Sequence, residues 1–153
     1  MLILRIERCW LERKRQITRA AELSSLADFR DFIEASCFDH PAMNDRVLYD
    51  LKLAVDEACT NIITHGYAGM DPGSIIVELE IREEQVELTI TDFGHAFEPR
   101  NAPQPNLEAA LADQDPGGFG LFFIYQTMDN VDYACGEAGN CLRLTRRLPT
   151  GKG

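Results

Sequence analysis

Hydrophobic positions recur with a helical period in two segments of the first half of the chain. The first segment predicts a helix that Ser24 or Ser25 can cap and that runs to about Cys37. The second predicts a longer helix over about residues 44–65, which Gly66 ends. The expected buried faces of these helices are formed by Leu26, Phe29, Phe32 and Ile33, and by Val47, Leu48, Leu51, Val55, Ala58 and Ile62.

Strict alternation of apolar and polar residues then predicts two strands. Residues 74–82 alternate with the period of a half-buried strand, residues 83–85 turn the chain, and residues 86–91 alternate again. Asp92 continues the apolar side of this second alternation, so it is expected to face inward. Less regular patterns predict strand structure within residues 2–18, a helix over 121–128, and a closing hairpin of strands 131–135 and 141–147 around Gly136 and Gly139.

A long stretch with four prolines and no regular period, residues 94–118, separates the second strand from the last helix. Residues 97–117 are expected to form a lid, with a short helix around 107–112. The element order predicts one α+β domain over residues 1–153, with no boundary fixed for the first 11 residues. The expected architecture is a two-layer α/β sandwich, in which helices cover one face of a mixed, mostly antiparallel sheet.

Charge and composition exclude several classes of protein. The 153 residues include 15 Lys+Arg and 25 Asp+Glu, and a net charge of −10 argues against direct binding of nucleic acid. No apolar run approaches the roughly 20 residues of a membrane span. The charge at Arg5 comes too early for a signal-peptide core, so a cytoplasmic protein is expected. Five cysteines and three histidines lack the spacing of zinc sites or disulfide frameworks.

Three polar residues share one face of the second predicted helix. Glu57, Asn61 and His65 are spaced by four residues and lie beside the apolar stripe. A solvated helix face would account for the glutamate and the histidine. Asparagine is a poor helix former, because its amide competes with backbone hydrogen bonds, so Asn61 calls for a further reason. Coordination of a metal ion by its carbonyl oxygen is one.

An inward-facing carboxylate at Asp92 needs a partner, because an unpaired buried charge is costly. Asp92 either starts a turn with Gly94, or accepts a hydrogen bond from the exocyclic amine of an adenine for which Gly94 leaves space. The segment PGGFGL at residues 116–121 is either a hinge or an anion site, since glycine amides before a helix suit phosphate. It is neither a Walker loop nor a Rossmann fingerprint.

In their order along the chain, these features resemble the GHKL (Bergerat-type) ATP-binding fold of gyrases, heat-shock chaperones and histidine kinases. Residues 56–67, DEACTNIITHGY, look like the N-box of the bacterial anti-sigma serine kinases. Residues 91–99, TDFGHAFEP, are similar to the adenine box of that family, and residues 118–131, GFGLFFIYQTMDNV, to its second glycine box and following helix. The resemblance covers nearly the whole chain from about residue 12.

The resemblance implies roles for individual residues. Asn61 would coordinate Mg²⁺, Glu57 would accept the proton of a partner's serine hydroxyl, and His65 would touch phosphate. The other implied nucleotide-binding residues are Asp92 and Gly94 at the adenine, Gly118 and Gly120 at the phosphates, and with them Phe97, Phe119 and Leu121.

The implied function is that of an Mg-ATP-dependent protein-serine kinase that sequesters a sigma factor and phosphorylates a STAS-type anti-anti-sigma partner. Members of this family are commonly dimers. Two positions depart from the family pattern: Gly117 stands where several members have an arginine for partner contact, and Cys141 where a threonine often sits near the adenine. The alternatives are an ATP-dependent partner-switching regulator without kinase activity and, less favoured, a free-standing histidine-kinase catalytic domain.

Overall fold

The computed structural model describes residues 12–96 and 116–149. Its strands are β1 (Arg13–Ala20), β2 (Ser74–Ile81), β3 (Gln85–Asp92), β4 (Asn130–Gly136) and β5 (Gly139–Arg147). Its helices are α1 (Ser25–Cys37), α2 (Asp45–Asn61) and α3 (Pro116–Thr127). The predictions for the first 11 residues, for the short helix at 107–112 and for most of the lid lie outside the described residues.

The strands form one sheet in the order β1-β2-β3-β5-β4, with every pairing antiparallel. The α+β class, the element order and the antiparallel character are therefore confirmed. The expected mixture of strand directions is wrong within the described ranges. Short turns join β2 to β3 and β4 to β5, and β3 and β5 also run in opposite directions although α3 and β4 lie between them in the chain.

The core lies between the inner face of the sheet and the three helices. Alternation places the apolar residues of β2 and β3 on this face, and the pairs Val77–Ile90 and Leu79–Leu88 are fully buried. α2 packs against both α1 and α3. The helices contribute Phe29, Ile33, Val47, Leu51, Val55, Ala58 and Ile124, and the predicted stripe residues Leu26, Phe32, Leu48 and Ile62 are partly buried against them.

Two helix ends differ from the prediction. Ser24 makes no capping hydrogen bond with its side chain, and α1 instead follows a backbone turn in which the Ser25 amide donates to the Glu22 carbonyl at 2.9 Å. α2 ends as an α-helix at Asn61 and continues as a π-helical turn over Ile62–Gly66, not as α-helix to His65. Such turns often occur at functional sites.

The last helix starts earlier than its hydrophobic period suggests. α3 begins at Pro116, five residues before the predicted start, so the glycine-rich segment lies in the first turns of a helix and not in a loop. Proline suits the first position of a helix, because the amide hydrogen that it lacks would have no partner there. Among the helices of the described ranges, none is long and apolar enough to span a membrane.

Candidate functional site

A cavity lies at the point where the end of α2 meets the ends of β3 and β5 and one side of α3. Its space, including the part open to solvent, is about 470 Å³. The residues that line it are Ala58, Asn61, Ile62, Gly66, Asp92, His95, Leu121, Ile124, Tyr133 and Leu142. Three segments that are distant in the sequence therefore meet here, each with a residue singled out from its pattern: Asn61, Asp92 and Leu121.

Asp92 faces inward, as its strand parity predicts, and is 6% exposed. Its Oδ1 accepts a hydrogen bond from the Gly94 amide at 2.9 Å and another from Asn140 Nδ2 at 3.1 Å. The two interpretations of Asp92 are thus compatible, because the residue starts a turn and also lines the cavity.

The turn that carries Gly94 is pressed against the end of the π-helical turn. A Cβ atom at position 94 would lie 2.6 Å from the carbonyl carbon of Gly66, so no larger residue fits without movement of the backbone. The His95 amide donates to the Gly66 carbonyl at 2.6 Å, and His95 Nε2 lies 3.1 Å from the Ala68 carbonyl oxygen. Glycine at position 94 therefore serves a backbone contact that the sequence does not reveal.

Tyr67 joins this turn to the start of β2. Its buried hydroxyl donates to the Ser74 carbonyl at 2.8 Å and accepts from the Phe93 amide at 2.9 Å. Burial raises the pKa of Tyr67, the Phe93 hydrogen bond lowers it, and the nearby charge of Asp92 raises it further. The hydrophobic pattern does not reveal this role, although a tyrosine directly after a helix-ending glycine is an available indication.

The polar face of α2 is only partly turned toward the cavity. Asn61 lines it, whereas Glu57 is half-buried one turn earlier and His65 is exposed, and neither of these two is among the lining residues. The lining residues Ala58, Ile62 and Gly66 follow the neighbouring face instead.

Glu57 has a perturbed acidity. Desolvation by burial is the main cause that raises the pKa of its carboxyl group, and the negative charge of Asp56 raises it further. Asp56 itself forms an ion pair with Arg30 of α1. A carboxyl group with a raised pKa is better matched to proton transfer near neutral pH.

Asn140, not Cys141, is the β5 residue beside Asp92, so the placement of Cys141 near the adenine position is wrong. Cys141 pairs with Thr91 and faces the opposite side of the sheet, whereas Asn140 pairs with Asp92 and is buried. Strand parity from Leu142 and Leu144 indicates that Asn140 faces inward, but its pairing with Asp92 depends on the register between β3 and β5.

α3 contributes backbone amides and apolar side chains. Leu121 and Ile124 line the cavity, and Gly118 and Gly120 lie in the first turns of the helix. The first amides of a helix have no partner within it and carry partial positive charge, so this end suits an anion. The side chain of Phe119 and all of Phe97 lie outside the described structure.

Among the residues that line the cavity, Asn61 offers an amide oxygen that could serve as a ligand for a magnesium ion. The described residues contain no group of three or more His, Cys, Asp and Glu side chains that could hold a metal ion. Mg²⁺ bound with a nucleotide takes most of its ligands from phosphate oxygens and water, and one amide carbonyl from the protein is compatible with that chemistry. Asn61, which is half-buried and lines the cavity, fits this role.

Comparison with known proteins identifies relatives over most of the chain. The sequence model of the histidine kinase-like ATPase domain matches residues 19–146. The serine/threonine-protein kinase BtrW of Bordetella bronchiseptica is 34% identical over 111 residues, which cover 70% of this chain and 78% of BtrW. The serine-protein kinase RsbW of Bacillus pumilus is 36% identical over 105 residues, which cover 65% of this chain and 64% of that protein.

The extent of the matches varies among relatives. For the serine-protein kinase RsbW of Listeria monocytogenes, the 37% identical segment spans about half of each protein, 54% of this chain and 55% of the relative. Among solved structures, a histidine kinase domain from Erythrobacter litoralis shares 17% identity at a TM-score of 0.45, covering 82% of this chain and 60% of that one.

Proposed function

The chain belongs to the histidine kinase-like ATPase domain family, within its group of protein serine/threonine kinases, and from this premise we propose its reaction and its partner. It transfers the γ-phosphoryl group of Mg-ATP to a serine of a STAS-type anti-anti-sigma protein. The unphosphorylated partner binds the kinase and thereby releases a sigma factor that the kinase otherwise sequesters.

The observation that carries this proposal is the meeting of Asn61 and Asp92 in one cavity that α3 completes. Asp92 supplies a carboxylate acceptor for the exocyclic amine of adenine at the buried end. Asn61 supplies an amide oxygen toward the phosphate side, and the first amides of α3 provide donors for phosphate oxygens. Nucleotide binding requires groups of these kinds. They come from segments that are distant in the sequence, since Asn61 on α2 and Leu121 on α3 are 60 residues apart.

Mg²⁺, when bound, would offset the negative charge of the phosphates during transfer. The described cavity lining contains no lysine or arginine that could offset this charge directly. Asn61 would hold the ion through its carbonyl oxygen, and this residue also ends the α-helical part of α2. We therefore expect nucleotide binding to depend on the metal.

Glu57 is proposed as the general base. It lies one helical turn before Asn61, outside the cavity lining, where an incoming serine hydroxyl could reach it without displacing the nucleotide. Its raised pKa fits a group that accepts a proton near neutral pH. Phosphoryl transfer through a loose transition state asks little of a base, so positioning of the hydroxyl is a large part of this role.

A transfer assay tests the proposed function. The purified chain is incubated with Mg²⁺, γ-labelled ATP and a STAS-domain protein of the same organism, and label is expected on one serine of that protein. A STAS protein with this serine replaced by alanine is the control and should remain unlabelled. Absence of label on the wild-type partner, under conditions where the kinase binds ATP, contradicts the proposed activity.

The same experiment distinguishes the second candidate, a partner-switching regulator without kinase activity. Such a regulator would bind the STAS protein in an ATP-dependent manner but leave it unlabelled. Gly117, at the place where several family members have an arginine for partner contact, is the feature that keeps this candidate open. Binding of a sigma factor is measured separately, by co-purification with and without the STAS protein.

A further inference from the structure

Asn140 contacts two acceptors with a single amide nitrogen. Its Nδ2 lies 3.1 Å from Asp92 Oδ1 and 3.0 Å from the Gly94 carbonyl oxygen. Both partners can only accept, so the amide nitrogen and not its oxygen must face them, and both of its hydrogens are used. The side chain is 5% exposed and joins β5 to the turn after β3, 46 and 48 residues away in sequence.

These bonds fix one oxygen of the Asp92 carboxylate. Oδ1 accepts from both Asn140 and the Gly94 amide, whereas no donor among the described residues contacts Oδ2. Asp92 lines the cavity and Asn140 does not, so Asn140 stands behind the carboxylate, away from a bound ligand. The remaining oxygen is left to accept a hydrogen bond from whatever occupies the cavity.

We propose that Asn140 is a positioning residue that sets the base selectivity of the nucleotide site. By holding Oδ1, Asn140 keeps Oδ2 in one place as a hydrogen-bond acceptor. An acceptor there can bind the 6-amino group of adenine, which donates, but it repels the 6-oxo group of hypoxanthine or guanine, which also accepts. Without Asn140, the Asp92 side chain can turn and accept from the N1–H group of a 6-oxopurine instead. This inference rests on the proposed binding of ATP in the cavity.

The structure also offers a matched control. Asn130, on the neighbouring strand β4, is exposed and donates from its Nδ2 to Asp132 Oδ2 at 2.8 Å. It makes the same type of hydrogen bond as Asn140, an amide to a carboxylate, but its partner is not among the residues that line the cavity. Replacement of Asn130 therefore removes an equivalent bond without affecting Asp92.

The test is a comparison of Mg-ATP and Mg-ITP binding by calorimetry, because these nucleotides differ at the 6-position and in the protonation of N1. We expect wild-type protein and Asn130→Ala to prefer ATP to the same extent. Asn140→Ala should bind ATP roughly tenfold more weakly and ITP almost as before, so the preference falls by about the same factor. Asn140→Thr keeps one donor and should retain part of the preference.

Several results would overturn the inference. One is a folded Asn140→Ala protein with the wild-type preference, and another is an equal loss of affinity for both nucleotides, which indicates a merely structural role. If Asn140→Ala does not fold, an unchanged preference in Asn140→Thr overturns it. Wild-type protein that binds neither nucleotide refutes the proposed function and this inference together, whereas selective binding without phosphate transfer refutes only the proposed kinase activity.

Discussion

Gly94 lies directly against Gly66, with no room for a side chain between the turn after β3 and the end of the π-helical turn. A methyl group at position 94 would overlap the Gly66 carbonyl group, whose carbon it would approach to 2.6 Å. Because the obstacle is backbone, a substitution must shift either the turn that follows Asp92 or the π-helical turn that follows Asn61. This one contact therefore couples the two halves of the site.

Gly94→Ala is expected to weaken Mg-ATP binding strongly and to lower the free energy of unfolding by about 1–3 kcal/mol, the usual cost of overpacking. Gly136→Ala is the control, because a Cβ atom there would have no heavy atom within 4 Å. Denaturant unfolding and nucleotide titration measure the two effects. Wild-type affinity in Gly94→Ala would show that the turn can shift without harm to the site.

Asn61→Ala should lose most of its affinity for Mg-ATP while the protein remains folded. The residue is half-buried at the edge of the core, and its amide oxygen is the only protein ligand proposed for the metal. Calorimetry with and without Mg²⁺ measures the effect, with Asn130→Ala as the control. Undiminished binding of Mg-ATP by folded Asn61→Ala would refute the assignment of the metal ligand.

Glu57→Gln should leave Mg-ATP affinity nearly unchanged, since Glu57 does not line the cavity. Transfer to the partner serine should fall by roughly 10²–10⁴-fold, toward the lower end because loose transition states depend little on a base. Single-turnover transfer at saturating Mg-ATP measures this. Glu34→Gln is the control, because Glu34 is an exposed helical glutamate paired with Lys52 at 3.0 Å. Equal rates in both variants would contradict the catalytic role.

The pH dependence of transfer should reflect the environment of Glu57. A base acts in its deprotonated form, and burial, followed by the charge of Asp56, raises the pKa of Glu57. As the solution is acidified, the transfer rate should therefore begin to fall at a higher pH than it would if the base had the usual pKa of a glutamate. Asp56→Asn removes the negative charge and should move this limb of the profile to lower pH. A profile that is identical in Glu57→Gln would assign the limb to another group.

Arg146→Met should destabilise the protein by about 2–4 kcal/mol, because Asp50 is a buried carboxylate that would lose its principal partner. Arg146 contacts Asp50 Oδ2 through two nitrogens, both at 3.3 Å, and the side chain of Asp50 is 2% exposed. Arg46 also contacts Asp50, at 3.4 Å, and keeps the loss from being larger. Thermal and denaturant unfolding measure the change.

Arg143→Met provides the comparison for that prediction. Arg143 lies three residues earlier on β5, on the opposite face of the sheet, and pairs with Glu87 at 3.5 Å near solvent. Exposed ion pairs contribute at most about 1 kcal/mol, so this variant should unfold close to the wild-type midpoint. Similar losses of unfolding free energy in Arg146→Met and Arg143→Met would show that the burial of Asp50 does not determine how much stability is lost.

The sequence by itself determined the periodic elements of this protein and the direction of their faces. Alternation in β2 and β3 predicted every buried residue of those strands, including Asp92, because side-chain direction in a strand depends only on parity. The helical stripes of α1 and α2 followed from their period in the same way. The order of Asn61, Asp92 and the glycine-rich segment sufficed to recognise the family.

The tertiary structure alone decided which residues act together. Asn140 meets Asp92 from 48 residues away, and Arg146 meets Asp50 from 96 residues away. Such pairs depend on strand order and register, which no local pattern records. The start of α3 at Pro116 and the position of His65 outside the cavity lining also depend on tertiary packing. Glycines permit either a loop or a helix, and the packing of α3 against α2 selects the helix.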